Sequence, residues 1–319
     1  MNGKIAVIGA GTMGAGMALT YAIHGYQTAL YSRTDETLER ASRAIETALN
    51  TFVCSGGISE EAVPTILGRI CYTSDLAAAV EDVWYVAETI VEKPEAKRLL
   101  YEQLDVLLDE TVILASNTSY LNIFELLPAV RRKTSVIVHW VAPPHIIPLV
   151  EIVKGAETSE DTMRAVIKLH EACGKKPVRM ERYVPGFILN RLQSAMTREV
   201  MFLLEGGYCT AEDIDAVAKM SLMPRGLLLG VVERMDFNGL DMIANGLQNK
   251  TYTPAPDISA DNVIFRKVEA GELGVKTGKG FYDYTAQTRE ETLVRRDCQL
   301  IESVRLAESF IDDPLYSER

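Results

Sequence analysis

The chain is poor in the residues that cross-link small secreted domains or span membranes. Its 319 residues include only five cysteines, an odd number without a C-x-x-C pair. This pattern argues against a disulfide framework and a zinc site, and it favours a reducing compartment. No window approaches the roughly 18 apolar residues of a membrane span, and the first residues predict a strand rather than a signal peptide. We therefore expect a cytoplasmic protein without a bound metal.

Positive charge is scarce as well. The 33 lysines and arginines are outnumbered by 44 aspartates and glutamates, so the net charge is -11. Such a balance argues against a nucleic acid or an anionic membrane as the partner. The composition is that of an ordinary globular protein, and 319 residues exceed what one hydrophobic core usually supports. We therefore expect two domains and neither a nucleic-acid nor a membrane partner.

The order of apolar patterns predicts the architecture of both domains. Short β-branched runs such as "KIAVIGA", "YQTALYS" and "TVILASNTS" alternate with longer amphipathic stretches in the first half. Strands that alternate with helices are typical of a doubly wound α/β fold with a parallel sheet, here of the Rossmann type. From about residue 184 the apolar spacing is helical and strand signals are almost absent. The sequence thus predicts a Rossmann domain at 1–183 and a mostly helical domain at 184–319.

The run "VIGAGTMGAG" has the G-x-G-x-x-G spacing of a dinucleotide-binding loop, with Gly9, Gly11 and Gly14 as its glycines. It follows a predicted strand and opens a predicted helix, which is the context that this motif requires. Gly9 would allow the tight turn, Gly11 the approach of a pyrophosphate, and Gly14 close packing of helix on strand. Thr12 and Met13 would then lie beside the phosphates at the helix N-terminus. The alternative is a glycine-rich turn with packing roles only.

The end of the second predicted strand bears on the choice between NAD and NADP. An acidic residue that binds the ribose hydroxyls of NAD is usual at this point, but the sequence reads "LYSRTDE", with Ser32 and Arg33 there. An arginine suits the 2′-phosphate of NADP, so the sequence favours NADP. Alternatively, Arg33 is a solvated charge, and Asp35 or Glu36 binds the ribose of NAD.

A histidine and a glutamate in the run "HWVAPPHIIPLVEI" are candidates for acid–base chemistry. His139 ends a β-branched run, Glu151 lies in a second apolar run, and the prolines between them exclude a continuous helix. Oxidation of an alcohol by a nicotinamide needs a base for the hydroxyl proton. Histidine suits this task because its unperturbed pKa lies near neutrality. A carboxylate on the other ring nitrogen would orient the imidazole. The alternative is a histidine with a structural role only.

Five motifs occur in an order that resembles the L-3-hydroxyacyl-CoA dehydrogenase family: "VIGAGTMGAGMA", "ASNTS", "HWVAPPHIIPLVEI", "VPGFILNRL" and "LGVKTGKGFYDY". The resemblance covers nearly the whole chain. It implies an NAD(P)-dependent oxidoreductase that converts a 3-hydroxyacyl-CoA, such as 3-hydroxybutyryl-CoA, to the 3-oxo form. It also implies a homodimer that forms through the helical C-terminal domain.

The resemblance further implies roles for single residues. His139 corresponds to the catalytic base and Glu151 to its acidic partner, while Ser119 and Asn190 correspond to polar groups that bind the substrate oxygen and support the histidine. On the cofactor side, the resemblance points to Glu92, Lys97 and Asn117.

Each of these positions also has a structural interpretation. Ser119 and Asn117 could cap a helix predicted at "NIFELL", Asn190 could satisfy backbone groups between domains, and Lys97 could be a solvated charge on a helix.

Two departures from the family pattern leave the substrate open. Ala142 stands where the family usually has an asparagine, and "ALNTFVCSGGISEE" contains no lysine or arginine to meet the phosphates of CoA. The second feature favours a small free 3-hydroxy acid, as in the gulonate and carnitine dehydrogenases that share "PP…IPLVE". Two further readings are a dinucleotide-binding protein without turnover, as in lambda-crystallin, and an imine or amine reductase on the same scaffold.

Overall fold

The predicted Rossmann-type sheet is confirmed and lies at the centre of the first of two compact units, Met1–Asn190 and Arg191–Arg319. The computed structural model describes residues 3–250, 252–312 and 315. The strands of the sheet are β1 (Lys4–Ile8), β2 (Thr28–Tyr31), β3 (Ile70–Thr73), β4 (Val83–Glu88), β5 (Ile113–Ser116), β6 (Ser135–Trp140), β7 (Leu149–Val153) and β8 (Lys176–Met180). Their spatial order is β3-β2-β1-β4-β5-β6-β7-β8, and only β6 and β7 pair antiparallel.

Helices connect the parallel strands and bring the strand ends to a common edge. They are α1 (Thr12–Ile23), α2 (Asp35–Cys54), α3 (Val63–Leu67), α4 (Leu76–Val80), α5 (Pro94–Leu107) and α6 (Glu160–Ala172). The helix predicted at "NIFELLPAV" is wrong, because Ile123–Glu125 and Ala129–Thr134 form only short 3-10 turns. Pro128 lies between the two turns, and a proline interrupts the hydrogen bonds of a continuous helix.

The central strands of the sheet are buried on both faces, which explains the unbroken apolar run of the first strand. Ile5 and Val7 point into one hydrophobic cluster, and Ala6 and Ile8 into the cluster on the opposite face. All four are fully buried. Because successive side chains of a strand alternate between faces, a strand covered on both sides needs apolar residues at every position.

The second unit is mostly helical, as predicted. Helix α7 (Leu189–Glu205) begins in the first unit and is followed by α8 (Ala211–Val217), α9 (Met223–Leu229), α10 (Glu233–Asn238), α11 (Leu240–Asn249), α12 (Val263–Glu269) and α13 (Arg289–Asp312). A capping box starts α8: the Thr210 hydroxyl accepts from the Asp213 amide, and the Asp213 carboxylate accepts from the Thr210 amide. None of the described helices has the length and apolar character needed to cross a membrane.

Candidate active site

The glycine loop after β1 leaves open space at the N-terminus of α1. Gly9 has φ +117°, and a Cβ there would lie 2.6 Å from the carbonyl oxygen of Thr89. A Cβ on Gly14 would lie 1.7 Å from the carbonyl oxygen of Gly9, so strand and helix approach closely at this point. By contrast, no atom lies within 4 Å of the Cβ position of Gly11. A dinucleotide pyrophosphate fits such a loop, where helix amides face an open space.

The other residues predicted near the cofactor lie around the same strand ends. Thr12 and Met13 are the first residues of α1. Ser32 and Arg33 follow β2, the neighbour of β1, and the Ser32 amide donates to the carbonyl oxygen of Thr73 at 3.3 Å. The Arg33 side chain is exposed and makes no ion pair within the described part of the chain. An incoming anion could therefore bind Arg33 without displacing an internal partner.

His139 and Glu151 are cross-strand neighbours in the single antiparallel step of the sheet. The Nδ1 atom of His139 lies 2.8 Å from Oε2 of Glu151, and both side chains are buried. The other carboxylate oxygen, Oε1, accepts from the amides of Ile188 and Leu189 at 2.8 and 3.0 Å. These two amides stand at the start of α7, where an anion is favoured. Both oxygens of the buried carboxylate are thus hydrogen-bonded.

The hydrogen bonds of Glu151 set its charge state. Burial alone would raise the pKa of this carboxyl, but the bond from His139 and the amides of Leu189 and Ile188 outweigh burial and hold the pKa below its usual value. An ionised Glu151 accepts a hydrogen bond from a protonated Nδ1 of His139, so that Nε2 of the imidazole is left for another partner. The pair is therefore arranged for proton exchange at Nε2.

A buried lysine holds the loop between β6 and β7. Nζ of Lys175 donates to the carbonyl oxygens of Pro144 and Ile147 at 2.5 and 2.8 Å, and lies 4.6 Å from the ring centroid of Trp140. The same loop packs on α1, since a Cβ on Gly16 would lie 2.5 Å from Cγ of Pro144. Burial lowers the pKa of Lys175 to about 7. The sequence interpretation missed this residue, because nothing in its neighbourhood indicates contact with a loop thirty residues earlier.

Glu92 organises the segment that contains Ser119. Its Oε1 accepts from the amides of Ser119 and Tyr120 at 2.8 and 3.1 Å, and from the hydroxyl of Thr118. The amide nitrogen of the Asn190 side chain donates to the Ser119 carbonyl oxygen at 3.4 Å. The structure thus brings three predicted site residues together, with Glu92 and Asn190 both holding the backbone of Ser119.

Lys97 is fully buried and contacts two carboxylates, so its interpretation as a solvated helix charge is wrong. Its Nζ lies 3.4 Å from Oε2 of Glu92, as the predicted pair requires, and 2.6 Å from Oε1 of Glu88. Oε2 of Glu88 accepts from the hydroxyls of Tyr101 and Ser116 at 2.7 and 2.5 Å. The sequence interpretation missed Glu88. The available signal was its position at the end of "WYVAE", because a charge in an apolar run needs a partner.

Asn117 joins the ends of three strands instead of capping a helix. Its Oδ1 accepts from the Trp140 amide at 2.8 Å, and its Nδ2 donates to the Thr89 hydroxyl at 3.1 Å. The Asn117 amide also donates to the carbonyl oxygen of Glu88 at 2.7 Å. The 3-10 turn that follows has no side-chain cap. The capping interpretation of Asn117 is therefore wrong, and its side chain fixes the edge of the crevice.

Two family models match consecutive parts of the chain. The NAD binding domain of 3-hydroxyacyl-CoA dehydrogenase matches residues 4–183, and the C-terminal domain of the same enzyme matches residues 186–284. The chain belongs to the 3-hydroxyacyl-CoA dehydrogenase family. It is accordingly an oxidoreductase that acts on a CH–OH group, and its first domain binds NAD.

Two relatives from this family represent different substrates. The chain is 34% identical over 289 residues to the probable 3-hydroxybutyryl-CoA dehydrogenase of Deinococcus radiodurans, covering 88% of this chain and 100% of that one. It is 30% identical over 309 residues to 5-formyl-3-hydroxy-2-methylpyridine 4-carboxylate 5-dehydrogenase of Mesorhizobium japonicum, covering 96% and 98%.

Solved structures show the same two similarities. A crystal structure of 5-formyl-3-hydroxy-2-methylpyridine 4-carboxylic acid 5-dehydrogenase, described as an NAD+ dependent dismutase, has a TM-score of 0.85 at 29% identity and covers 97% of this chain and 99% of that one. The (S)-3-hydroxybutyryl-CoA dehydrogenase of Ralstonia eutropha has a TM-score of 0.69 at 27% identity, with coverages of 89% and 99%.

Proposed function

We propose that this family member is an NAD(P)-dependent dehydrogenase in which His139 exchanges the proton of the substrate hydroxyl group. The observation that carries the proposal is the 2.8 Å bond between His139 Nδ1 and Glu151 Oε2, with Oε1 of the same carboxylate held by two amides. This arrangement fixes the orientation of the imidazole, and a nearby carboxylate stabilises the imidazolium that proton uptake creates.

The residues around this pair suit distinct steps of the reaction. A nicotinamide held beside this pair would supply the acceptor for the hydride of the carbon that bears the hydroxyl group. Nε2 of His139 takes the hydroxyl proton, and Glu151 remains ionised beside the imidazolium. The hydroxyl of Ser119 binds the substrate oxygen, and Asn190 holds the Ser119 backbone, to which it donates at 3.4 Å. In the reverse direction His139 returns the proton to the carbonyl oxygen.

We also propose how the cofactor is held. The loop Gly9, Gly11, Thr12, Met13 and Gly14 takes the pyrophosphate. Glu92, Lys97 and Asn117 keep the crevice edge in place on the nicotinamide side. The cofactor domain comprises residues 1–183, and the substrate and dimerisation domain comprises residues 184–319, a division supported by the ranges of the two family models.

For the nucleotide, we propose that the domain, which binds NAD, also takes NADP and prefers it. The support is Arg33, an exposed guanidinium directly after Ser32 that has no internal ion pair among the described residues. A guanidinium binds a phosphate through two parallel hydrogen bonds. The competing arrangement places Asp35 or Glu36, both in the first turn of α2, on the ribose of NAD. The NAD+ dependence of the similar pyridine-carboxylate enzyme favours that arrangement.

The first candidate substrate is a 3-hydroxyacyl-CoA such as 3-hydroxybutyryl-CoA. It is supported by the family and by relatives named 3-hydroxybutyryl-CoA dehydrogenase in three bacteria. A thioester substrate presents its 3-hydroxyl group to His139 and leaves the nucleotide of CoA outside the crevice.

The second candidate is a small free hydroxy acid, and a specific observation favours it. Residues 48–61, at the end of α2 and beyond, contain no lysine or arginine, whereas Glu60 and Glu61 are exposed there. Carboxylates repel the phosphates of CoA. The pyridine-carboxylate dehydrogenase, which is named for a free acid, also covers more of this chain than the CoA enzymes do.

We further propose a homodimer formed through the helical domain. Five valine, leucine and methionine side chains among the described residues of this unit are at least 66% exposed: Val217, Met220, Val232, Met242 and Leu247. Apolar surface of this extent is typical of an interface.

Replacement of the proposed base should abolish turnover and leave cofactor binding intact. We expect His139→Ala to lower kcat/KM about 10²–10⁴-fold, because the general base is lost, while NADH binding followed by fluorescence stays unchanged. His24→Ala is the matched control, since His24 caps the end of α1, where its Nδ1 lies 2.8 Å from the carbonyl oxygen of Thr20. Wild-type turnover that survives in His139→Ala would contradict the mechanism. Cofactor binding without turnover in the wild type would instead favour the hypothesis of a dinucleotide-binding protein without turnover, as in lambda-crystallin.

The two substrate classes can be separated with a truncated thioester. Oxidation of NADH and NADPH is followed with acetoacetyl-CoA, with acetoacetyl-N-acetylcysteamine, which lacks the nucleotide, and with free 3-oxo acids. We expect the two thioesters to agree within about 3-fold in kcat/KM, because each charged phosphate contact would otherwise add about 10-fold or more. A large preference for the CoA ester would reveal phosphate contacts elsewhere. Turnover of free acids alone would select the second candidate.

The role of Arg33 can be measured as a change in cofactor preference. We expect wild type to use NADPH better than NADH, and Arg33→Ala to lose about 10- to 100-fold in kcat/KM for NADPH only, since a charge-assisted contact is removed. Arg43→Ala, on the exposed face of α2, is the control. A wild-type preference for NADH that Arg33→Ala leaves unchanged would overturn the NADP proposal in favour of Asp35 or Glu36.

The oligomeric state can be tested by light scattering. We expect a mass about twice the 35.3 kDa of one chain. Met220→Asp should shift the protein towards one chain, because an unpaired charge is costly in an apolar interface. Val106→Asp makes the same type of change on an exposed position of α5 in the first unit and should have no effect. A wild-type mass of one chain would refute the dimer.

A further inference from the structure

Phe187 combines a buried ring with a backbone conformation that side chains rarely adopt. Its φ is +51°, and its side chain is fully buried. The other described residues with positive φ that are not glycine, Asp82 and Lys250, are both exposed. A buried aromatic residue persists in this region only where its surroundings enforce the conformation, and such strain concentrates at functional sites.

The left-handed turn at Phe187 directs the amides that follow it. The Phe187 amide itself donates to the carbonyl oxygen of Val184 at 3.0 Å. The next two amides, those of Ile188 and Leu189, both reach Oε1 of Glu151. The reversal of φ at one residue thus changes the direction of the chain, so that consecutive N–H groups converge on the carboxylate.

The ring of Phe187 lies against the imidazole of the same pair. Its centroid is 5.2 Å from that of His139, with an interplanar angle of 52°. On another side, Tyr183 packs edge-on at 6.2 Å, and the Tyr183 hydroxyl donates to the carbonyl oxygen of Tyr120 at 2.6 Å. Tyr120 follows Ser119 in the chain. The ring therefore contacts both the imidazole and a tyrosine that is hydrogen-bonded to the Ser119 segment.

We propose that Phe187 is a positioning residue for the His139–Glu151 pair. This inference rests on the proposed function, because it assigns Phe187 a role in the same proton exchange. The ring limits rotation of the imidazole away from the hydrogen bond between its Nδ1 and Glu151. The left-handed backbone at Phe187 holds the amides of Ile188 and Leu189 on the same carboxylate. One residue thereby fixes both the base and the group that orients it.

The test replaces the ring while keeping an apolar side chain of similar length. We expect Phe187→Met to lower kcat about 10- to 100-fold, the cost of a misplaced catalytic group, with substrate KM changed less than about 3-fold. As the amides loosen, the pKa of Glu151 rises towards its usual value. The carboxylate is then a weaker partner for the imidazolium, so the pH profile of kcat should differ from that of the wild type.

A second readout needs no substrate. The proton of the Nδ1–H bond to Glu151 should give a low-field signal in the nuclear magnetic resonance spectrum of the wild type without ligand. We expect this signal to weaken or move in Phe187→Met. Phe202→Met is the matched control, because Phe202 belongs to an aromatic pair of the second unit, with Tyr208 at 5.5 Å. It should change neither the kcat profile nor the signal.

The remaining outcomes decide between the inference and the proposed function. If Phe187→Met does not fold, Tyr183→Leu removes the half-buried support of the ring and should lower kcat about 3- to 10-fold in the same direction. If the variant that folds keeps the kcat, the pH profile and the proton signal of the wild type, the proposed role of Phe187 is wrong. A wild type that shows the signal but turns over no substrate would instead contradict the proposed function.

Discussion

The desolvated carboxylate of Glu151 is the constraint on which the crevice depends. A buried charge is tolerated only when its hydrogen-bonding capacity is met. Here His139 takes one oxygen, and the start of α7 takes the other. The first bond requires β7 to lie beside β6 in the one register that pairs the two residues, and the second requires α7 to begin at this edge. A single charged group thus connects the strand pair and the start of α7.

The same principle recurs on the other side of the crevice. Glu92 holds the Ser119 segment through backbone amides, and Glu88 accepts from two hydroxyls, while Lys97 forms an ion pair with each of the two carboxylates. Bonds of this kind fix polar groups before a ligand arrives, and such preorganisation is what a site for charge transfer needs. The exposed Glu92 and the buried pair of Lys97 and Glu88 therefore account for the placement of Ser119 and of the strand ends beside it.

Sequence reasoning succeeded where the signal is local. The alternation of strands and helices predicted the sheet, and the glycine spacing predicted the open space beside Gly11. Sequence reasoning failed where burial or a distant contact determines the role of a residue. Lys97 resembles a solvated charge on a helix until its partner Glu88 is known. The role of Lys175 follows only from its contacts with a loop about thirty residues away. The positive φ of Phe187 could not be predicted from the sequence, because phenylalanine is not a residue type that favours the left-handed region.

In the proposed function, proton chemistry and substrate choice rest on different side chains of the first unit. The His139–Glu151 pair, the glycine loop and the carboxylate network all lie within the first unit, and they are independent of what is attached to the carbon that reacts. Ala142 and the segment after α2, which carries the exposed Glu60 and Glu61 and no lysine or arginine, lie outside that set. One scaffold can therefore keep its hydride and proton chemistry while the charge of its rim selects a thioester or a free acid.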